Sequence, residues 1–406
     1  MNENLSIPQR YIGLDVHKHY LVAVGVTPDR QRVYGPQRVE LSRLDAWIAK
    51  TLTPQDAVVL EMTGNSYQLY DELLPHVQSV TVVHPPHVKL ITAMPVMNDK
   101  LAAARLAELH AAGLLEGIWV PPQPVRELRA LIAQRGKMVK LATQAKNRLH
   151  AVLHRYHLAP PEGDLFSAAQ REWWEHLALT PVERVRIACD LSTLECARTQ
   201  SAQIETVLHE LAAQEERVVY LVQLPGVGVL TALTLLAAIG DITRFPTAKH
   251  LVGYAGLGSR LHDSGQTTRR GRLTKDGRRD LRCAVVESAH SAARTHPHWQ
   301  AELARLEPRL GYNKAIVAIA RKLLVSVWHV LTHQCVDRFA EPELLARKLF
   351  AFAETLTVAR RPEQQTAAAY THHLLVRLGC GADLATFPRG AKTIHLLPPD
   401  PDAPTA

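Results

Sequence analysis

Cysteine is scarce in this 406-residue chain. The five present (Cys189, Cys196, Cys283, Cys335, Cys380) are an odd number and include no Cys-x-x-Cys pair. That pattern argues against a disulfide framework and against a zinc ribbon, and it fits a reducing cytoplasm. Long apolar runs are also missing. The longest, Val227–Ile239, contains two threonines and falls short of the ~20 residues that cross a bilayer. The opening MNENLSIPQR has no apolar h-region, so neither export nor membrane insertion is expected. No homeodomain or zinc-finger pattern for reading DNA bases occurs. Histidine is plentiful at 21, yet none has a clear role as a base, and His262 is near Ser264 only in sequence.

What is present is an apolar content of 47 %, enough for real cores in two or three domains. The formal charge of +8 and a pI near 9.3 favour a polyanionic partner, although ribosome-associated and membrane-surface proteins share that trait.

Along the chain, residues 11–26 and the piece RVYGPQRVEL alternate apolar and polar positions around a turn-like TPDRQ, which predicts a strand pair or meander. DAVVLEMTG (56–64) and SVTVVHP (79–85) read as buried strands with a helix over 67–74 between them. Strand and helix alternation predicts an α/β layer over residues 1–120, ending at the linker-like VPPQP. Residues 125–157 show helical spacing with eight Lys/Arg, among them Arg135, Lys137, Lys140, Lys146 and Arg148, against one Glu. A second long helical pattern, LSTLECARTQSAQIETVLHELAAQEERVVYLV, follows. The two could pair as an antiparallel coiled-coil hairpin across 121–220. A mainly helical region spans 221–340. Beyond it, 341–406 carries one helix over 342–358 and then polar, Pro-rich text expected to be ragged or disordered.

Three acidic residues fall where elements end or begin: Asp15 and Glu61 at strand ends, and Asp99 near a helix start. Carboxylates delivered by separate elements suit a hard cation such as Mg²⁺ (or Mn²⁺), which stabilises attacking and leaving oxygens in phosphoryl chemistry. A capping or turn role is the ordinary use of any one of them. In the third region, LPGVGVLTALTLLAAIGD resembles a helix-hairpin-helix, in which Gly226 and Gly228 let backbone N–H groups approach a phosphate. A glycine turn between core helices would read the same way. Residues 260–282 then hold eight cations (Arg260, Arg269, Arg270, Arg272, Lys275, Arg278, Arg279, Arg282) against three Asp, a density that usually needs an anionic partner. Within them, Ser264 precedes glycine. Its hydroxyl would need deprotonation and a neutralised phosphate to act as a nucleophile, and a surface serine in a basic loop is the plain alternative. Ser259 is the second candidate and lacks the following glycine.

GLDVHK, LEMTGNSY and MNDKLAAARLAEL resemble the acidic blocks of the IS110 family of insertion-sequence transposases, and DSGQTTRRGRLTKDGRRDLR resembles its C-terminal domain. The resemblance spans roughly residues 10–335. It implies a RuvC-like, RNase H-type N-terminal domain with an Asp-Glu-Asp-Asp site, and a C-terminal serine, here Ser264, that attacks DNA. It also implies a structured guide (bridge) RNA that pairs with donor and target DNA, and a homo-oligomer, dimer or tetramer, whose subunits share a composite site. The fourth carboxylate should stand three residues after Asp99, on the same helix face. Residue 102 is Ala102. Either a lineage lost the residue or a deliberate substitution removed it, and the otherwise intact helix text favours the latter. The resemblance thus implies a recombinase impaired in cleavage. Two alternatives are a RuvC-type metal-dependent junction nuclease and a non-catalytic nucleic-acid binder.

Overall fold

The computed structural model describes residues 7–86, 98–264 and 267–396; the side chains of 261–270 and 272 lie outside the described set. The chain divides into two compact units, Met1–Pro122 and Gln123–Ala406.

In the first unit, β1 (Arg10–Val16), β2 (Tyr20–Val26) and β3 (Arg32–Glu40) form the expected antiparallel meander. Helix α1 (Leu44–Thr51) leads to β4 (Asp56–Glu61), and α2 (Ser66–Leu73) to β5 (Ser79–Val83). Both β4 and β5 run parallel to β1, giving the sheet order β3-β2-β1-β4-β5. Side chains alternate between faces along each strand. Ile12, Leu14, Val58 and Leu60 pack with Trp47, Ile48, Leu69 and Leu73 of α1 and α2. The opposite face carries Gly13, Val22, Val24, Val59 and Val83, and it receives Ala103 and Leu106 of α3 (Asp99–Ala111).

Gly13 sets how closely α3 can lie. A Cβ at that position would stand 2.1 Å from the Ala103 carbonyl oxygen and 2.6 Å from the Ala107 nitrogen, separations no side chain can occupy. The helix backbone therefore rests directly on β1. Asn98 fixes where the helix begins, its side chain accepting a hydrogen bond from the Leu101 N–H at 3.0 Å.

The second unit opens with two long helices, α4 (Gln123–Arg155) and α6 (Pro181–Gln214), bridged by a short α5 (Arg171–Glu175) whose Trp174 is buried. Arg135 pairs with Glu205 at 2.7 Å, Arg148 with Asp190 at 2.7 Å and Arg155 with Glu183 at 3.0 Å. Rising numbers on one helix meet falling numbers on the other, so the pair is antiparallel. Next come α7 (Arg217–Val222), α8 (Val229–Ile239), α9 (Ala248–Tyr254), a hairpin of β6 (Ser259–Ser264) and β7 (Thr267–Leu273), and helices α10 (Arg279–Thr295), α11 (Pro297–Leu310) and α12 (Tyr312–His333).

Helix α12 has 22 residues and a mean hydropathy of 1.6 over its most apolar 18-residue window, long and apolar enough by composition alone to cross a membrane. Its apolarity serves the core, because Ile316, Ile319, Leu323, Leu324, Val327 and Val330 are buried among the other helices.

The text after residue 358 is more ordered than its composition suggested. Beyond α13 (Pro342–Thr355) lie α14 (Ala367–Leu378) and a hairpin of β8 (Thr386–Arg389) and β9 (Lys392–His395), while 397–406 fall outside the described residues. Leu349, Phe352, Leu374 and Phe387 join the same core as α8 and α12. Lys348 runs beneath the α7–α8 turn, donating to the carbonyls of Val222, Leu224 and Val227 at 2.9, 2.8 and 3.1 Å. Burial pushes this ammonium down to about 8.

Candidate metal and nucleic-acid sites

Because α3 lies against β1, its first residue, Asp99, is brought beside the last turn of that strand. Asp15 follows Leu14, the final position paired with Leu60 on β4. Asp15 and Glu61 thus occupy corresponding ends of adjacent parallel strands, on the face that carries Gly13 and Val59.

The group that converges is Asp15, His17 and Asp99, whose ligand atoms lie within 4.8 Å of one another. Glu61 is not part of that set. His17 Nε2 is 3.3 Å from Asp15 Oδ2 and 3.4 Å from Asp99 Oδ2. The imidazole stacks on Tyr20 at 4.6 Å, and the Tyr20 hydroxyl donates to Asp99 Oδ2 at 3.0 Å. The Arg38 guanidinium covers the Tyr20 ring at 3.7 Å. Burial raises the Asp15 carboxyl above its usual range, Asp99 adds to the rise and His17 opposes it. The hydrogen bond to Asp99 chiefly raises the Tyr20 phenol.

Ala102 is half-buried one helical turn beyond Asp99, its N–H donating to the Asn98 carbonyl at 2.8 Å. A methyl group there offers no donor atom. The sequence reading missed His17, Tyr20 and Gly13. The Asp15-x-His17 spacing is the signal for the first, since residues two apart near a strand end leave it on one side.

In the second unit the LPGVG segment forms a turn between α7 and α8. Gly226 has φ +77°, and a Cβ there would meet the Ser288 carbonyl oxygen at 2.0 Å. Close packing on α10 by itself therefore accounts for that glycine. Gly228 is exposed with open space around it and forms the N-cap of α8.

Ser264 pairs with Thr267 at the end of the β6–β7 hairpin. Its side chain, and those of Arg269, Arg270 and Arg272, lie outside the described residues. Among the remaining cations, Arg260 reaches Asp276 at 3.5 Å. Arg278 pairs with Asp280. Arg282 donates to the Ala255 carbonyl at 2.9 Å. Lys275 and Arg279 are both exposed. Ser259 lines a groove of about 740 Å³ with Lys249, Arg321, Lys322 and Val325. On α4, Arg135 and Arg148 are engaged by α6 as described above, and Lys146 lies 5.3 Å from the Phe166 ring. Lys137 and Lys140 are exposed.

Comparison with known proteins locates both regions in one lineage. Residues 12–158 match a transposase family of the DEDD type defined on IS110 elements, and residues 219–304 match the transposase IS116/IS110/IS902 family. The chain belongs to the IS110 family of transposases. It is similar to the transposase of insertion sequence element IS1111A of Coxiella burnetii, 26 % identical over 341 residues, covering 80 % of this chain and 90 % of that protein. A putative transposase of Sinorhizobium fredii is 24 % identical over 367 residues, 88 % and 90 % of the two chains. A pilin gene-inverting protein of Moraxella bovis is 25 % identical over 333 residues, 79 % and 95 % of the two. The protein is thus a transposase, an enzyme of DNA recombination, and the Asp15 block and the Ser264 block fall inside the two matched regions.

Proposed function

We propose that this transposase cuts and rejoins DNA through a covalent phosphoserine intermediate at Ser264, assisted by a divalent cation at a RuvC-like site in the first unit. The observation that carries the reading is the meeting of Asp15 and Asp99 around one point, on the sheet face that also bears Glu61. The strand order β3-β2-β1-β4-β5 is that of an RNase H-type sheet, which supports the RuvC-like assignment.

Two carboxylates and an imidazole within 4.8 Å are a donor set that fits a divalent cation. Asp15, Asp99 and Glu61 would hold Mg²⁺ or Mn²⁺, which supplies charge neutralisation at the reacting phosphate. Gly13 and Asn98 keep Asp99 in place, and Tyr20 orients its carboxylate through the hydrogen bond to Oδ2.

In the chemical step, Ser264 Oγ forms a bond to phosphorus as one P–O bond of the DNA strand breaks. The serine proton is lost and the departing oxygen gains one. Rejoining reverses the exchange with a second strand end, so bond number is conserved. Arg260, Lys275, Arg279 and the other cations of 260–282 offset charge on the phosphates, and Gly228 at the open start of α8 lets the backbone approach the strand. Sequence choice rests with a guide RNA that pairs with donor and target DNA, the protein reading phosphates through Lys137 and Lys140. A dimer or tetramer in the cytoplasm, with the acidic site of one subunit serving the serine of another, completes the proposal.

Ala102 leaves the acidic site one carboxylate short, so cleavage in Mg²⁺ is slow or absent. Ala102→Asp, assayed for strand cleavage with cognate RNA and DNA, is expected to raise the rate by about tenfold or more. No gain in cleavage would overturn the assignment of position 102 as the missing ligand.

A further inference from the structure

We propose that His17 supplies the ligand that Ala102 lacks, so that the first unit binds its cation through Asp15, His17 and Asp99 and prefers a borderline transition metal, Co²⁺ or Zn²⁺, to Mg²⁺. The inference rests on the reading of this cluster as a cation site and adds to it the identity of a ligand and the class of metal.

Position supports it first. Two cis ligands held at about 2.1 Å from one cation stand roughly 3 Å apart. His17 Nε2 already stands 3.3 and 3.4 Å from one oxygen of each aspartate. The nitrogen therefore sits where a shared ion needs a third donor. The ring is also oriented: it lies on Tyr20 at 4.6 Å with 25° between the planes, and Arg38 covers that same tyrosine. An imidazole held by stacking keeps its nitrogen aimed without a further bond.

The chemistry follows from the substitution. An Asp at 102 would present an oxygen, the donor that Mg²⁺ takes. With Ala102, the donor that joins Asp15 and Asp99 in the close group among the described residues is a nitrogen, that of His17. Imidazole suits Zn²⁺ and Co²⁺, which bind nitrogen more strongly than Mn²⁺ does, whereas Mg²⁺ keeps to oxygen and gives up water reluctantly.

The test is Mn²⁺ binding followed by electron paramagnetic resonance on the full chain without nucleic acid, with electron spin-echo envelope modulation to detect nitrogen bound to the metal. The wild-type protein is expected to bind Mn²⁺ with ¹⁴N modulation. His17→Ala should lose the modulation and bind about tenfold or more weakly, and Asp15→Asn should bind weakest. His17→Gln, which keeps a polar side chain, should also lose the nitrogen signal, so loss in both variants with unchanged circular dichroism excludes a folding defect. Adding Ala102→Asp to His17→Ala should restore binding, now with Mg²⁺ competing effectively.

If His17→Ala binds Mn²⁺ as the wild type does while Asp15→Asn does not, His17 is no ligand and the cation site stands. If only Ala102→Asp binds a cation, His17 does not replace the carboxylate and this inference fails alone. If neither wild type nor Ala102→Asp binds any divalent cation, the cation-site reading itself falls.

Discussion

Gly13→Ala tests how the fold builds the acidic site. The added methyl would be placed 2.1 Å from the Ala103 oxygen and 2.6 Å from the Ala107 nitrogen. An unstrained carbon–oxygen contact is about 3.3 Å or more, so α3 must retreat by roughly 1 Å. Both obstructing atoms are backbone, and no rotamer change relieves the overlap. Retreat loosens Ala103, Leu106 and Ala107, each at most 2 % exposed, and gaps of that size forfeit a quarter to a half of each dispersion contact. Overpacking of this kind costs about 3 kcal/mol, the upper part of its usual range. Since about 1.4 kcal/mol is tenfold in an equilibrium constant, amides of β1 and α3 should exchange with deuterium about 100-fold faster. Asp99 moves with the helix, so its 3.0 Å bond from Tyr20 lengthens and Mn²⁺ binding weakens. Gly64→Ala is the control, because nothing lies within 4 Å of a Cβ there. Exchange in Gly13→Ala that matches the control would refute the account of how α3 is seated.

Two further outcomes follow from buried and exposed cationic groups. His110 on α3 is held down to about 4 by burial, and its Nε2 is buried without a hydrogen-bond partner among the described residues. The unfolded chain takes the proton near the ordinary imidazole value of 6.5, so stability falls as pH drops from there to about 4. The loss is about 3 kcal/mol; His110→Leu should flatten it in pH-dependent exchange of α3, and an unchanged slope would contradict the assignment. On α4, Lys137→Ala with Lys140→Ala should reduce the slope of log K against log salt for duplex DNA by about 2, at roughly 0.9 per phosphate contact. Arg135→Ala with Arg148→Ala should change it less, because Glu205 and Asp190 already engage those guanidiniums; equal effects would contradict this.

The sheet was legible because alternation of apolar residues is a local signal. Residues 11–26 and 56–61 carry it plainly, and strand ends then point to Asp15 and Glu61. What brings Asp99 to Asp15 was not legible: it depends on Gly13 meeting Ala103 and Ala107, residues far along the chain whose spacing says nothing of the contact. Likewise the basic pattern of 125–157 reads as one cationic surface, whereas the register of α6 places Glu205, Asp190 and Glu183 against three of its arginines. Gly226 resembled a phosphate contact by motif, and its fit against Ser288 appears only when α10 is in place. The segment after 358 looked irregular because it ends in the Pro-rich LPPDPDAPTA, yet Leu374 and Phe387 within it pack on the core of the second unit.

In the proposed mechanism Ser264 becomes joined to DNA. The direct measurement is to incubate the Ala102→Asp protein with cognate RNA, end-labelled DNA and Mg²⁺, denature it, and map the modified peptide by mass spectrometry. A protein–DNA adduct is expected on the peptide containing Ser264, and it should disappear with Ser264→Ala. An adduct that persists in that variant, or cleavage of DNA without any adduct, would contradict that mechanism.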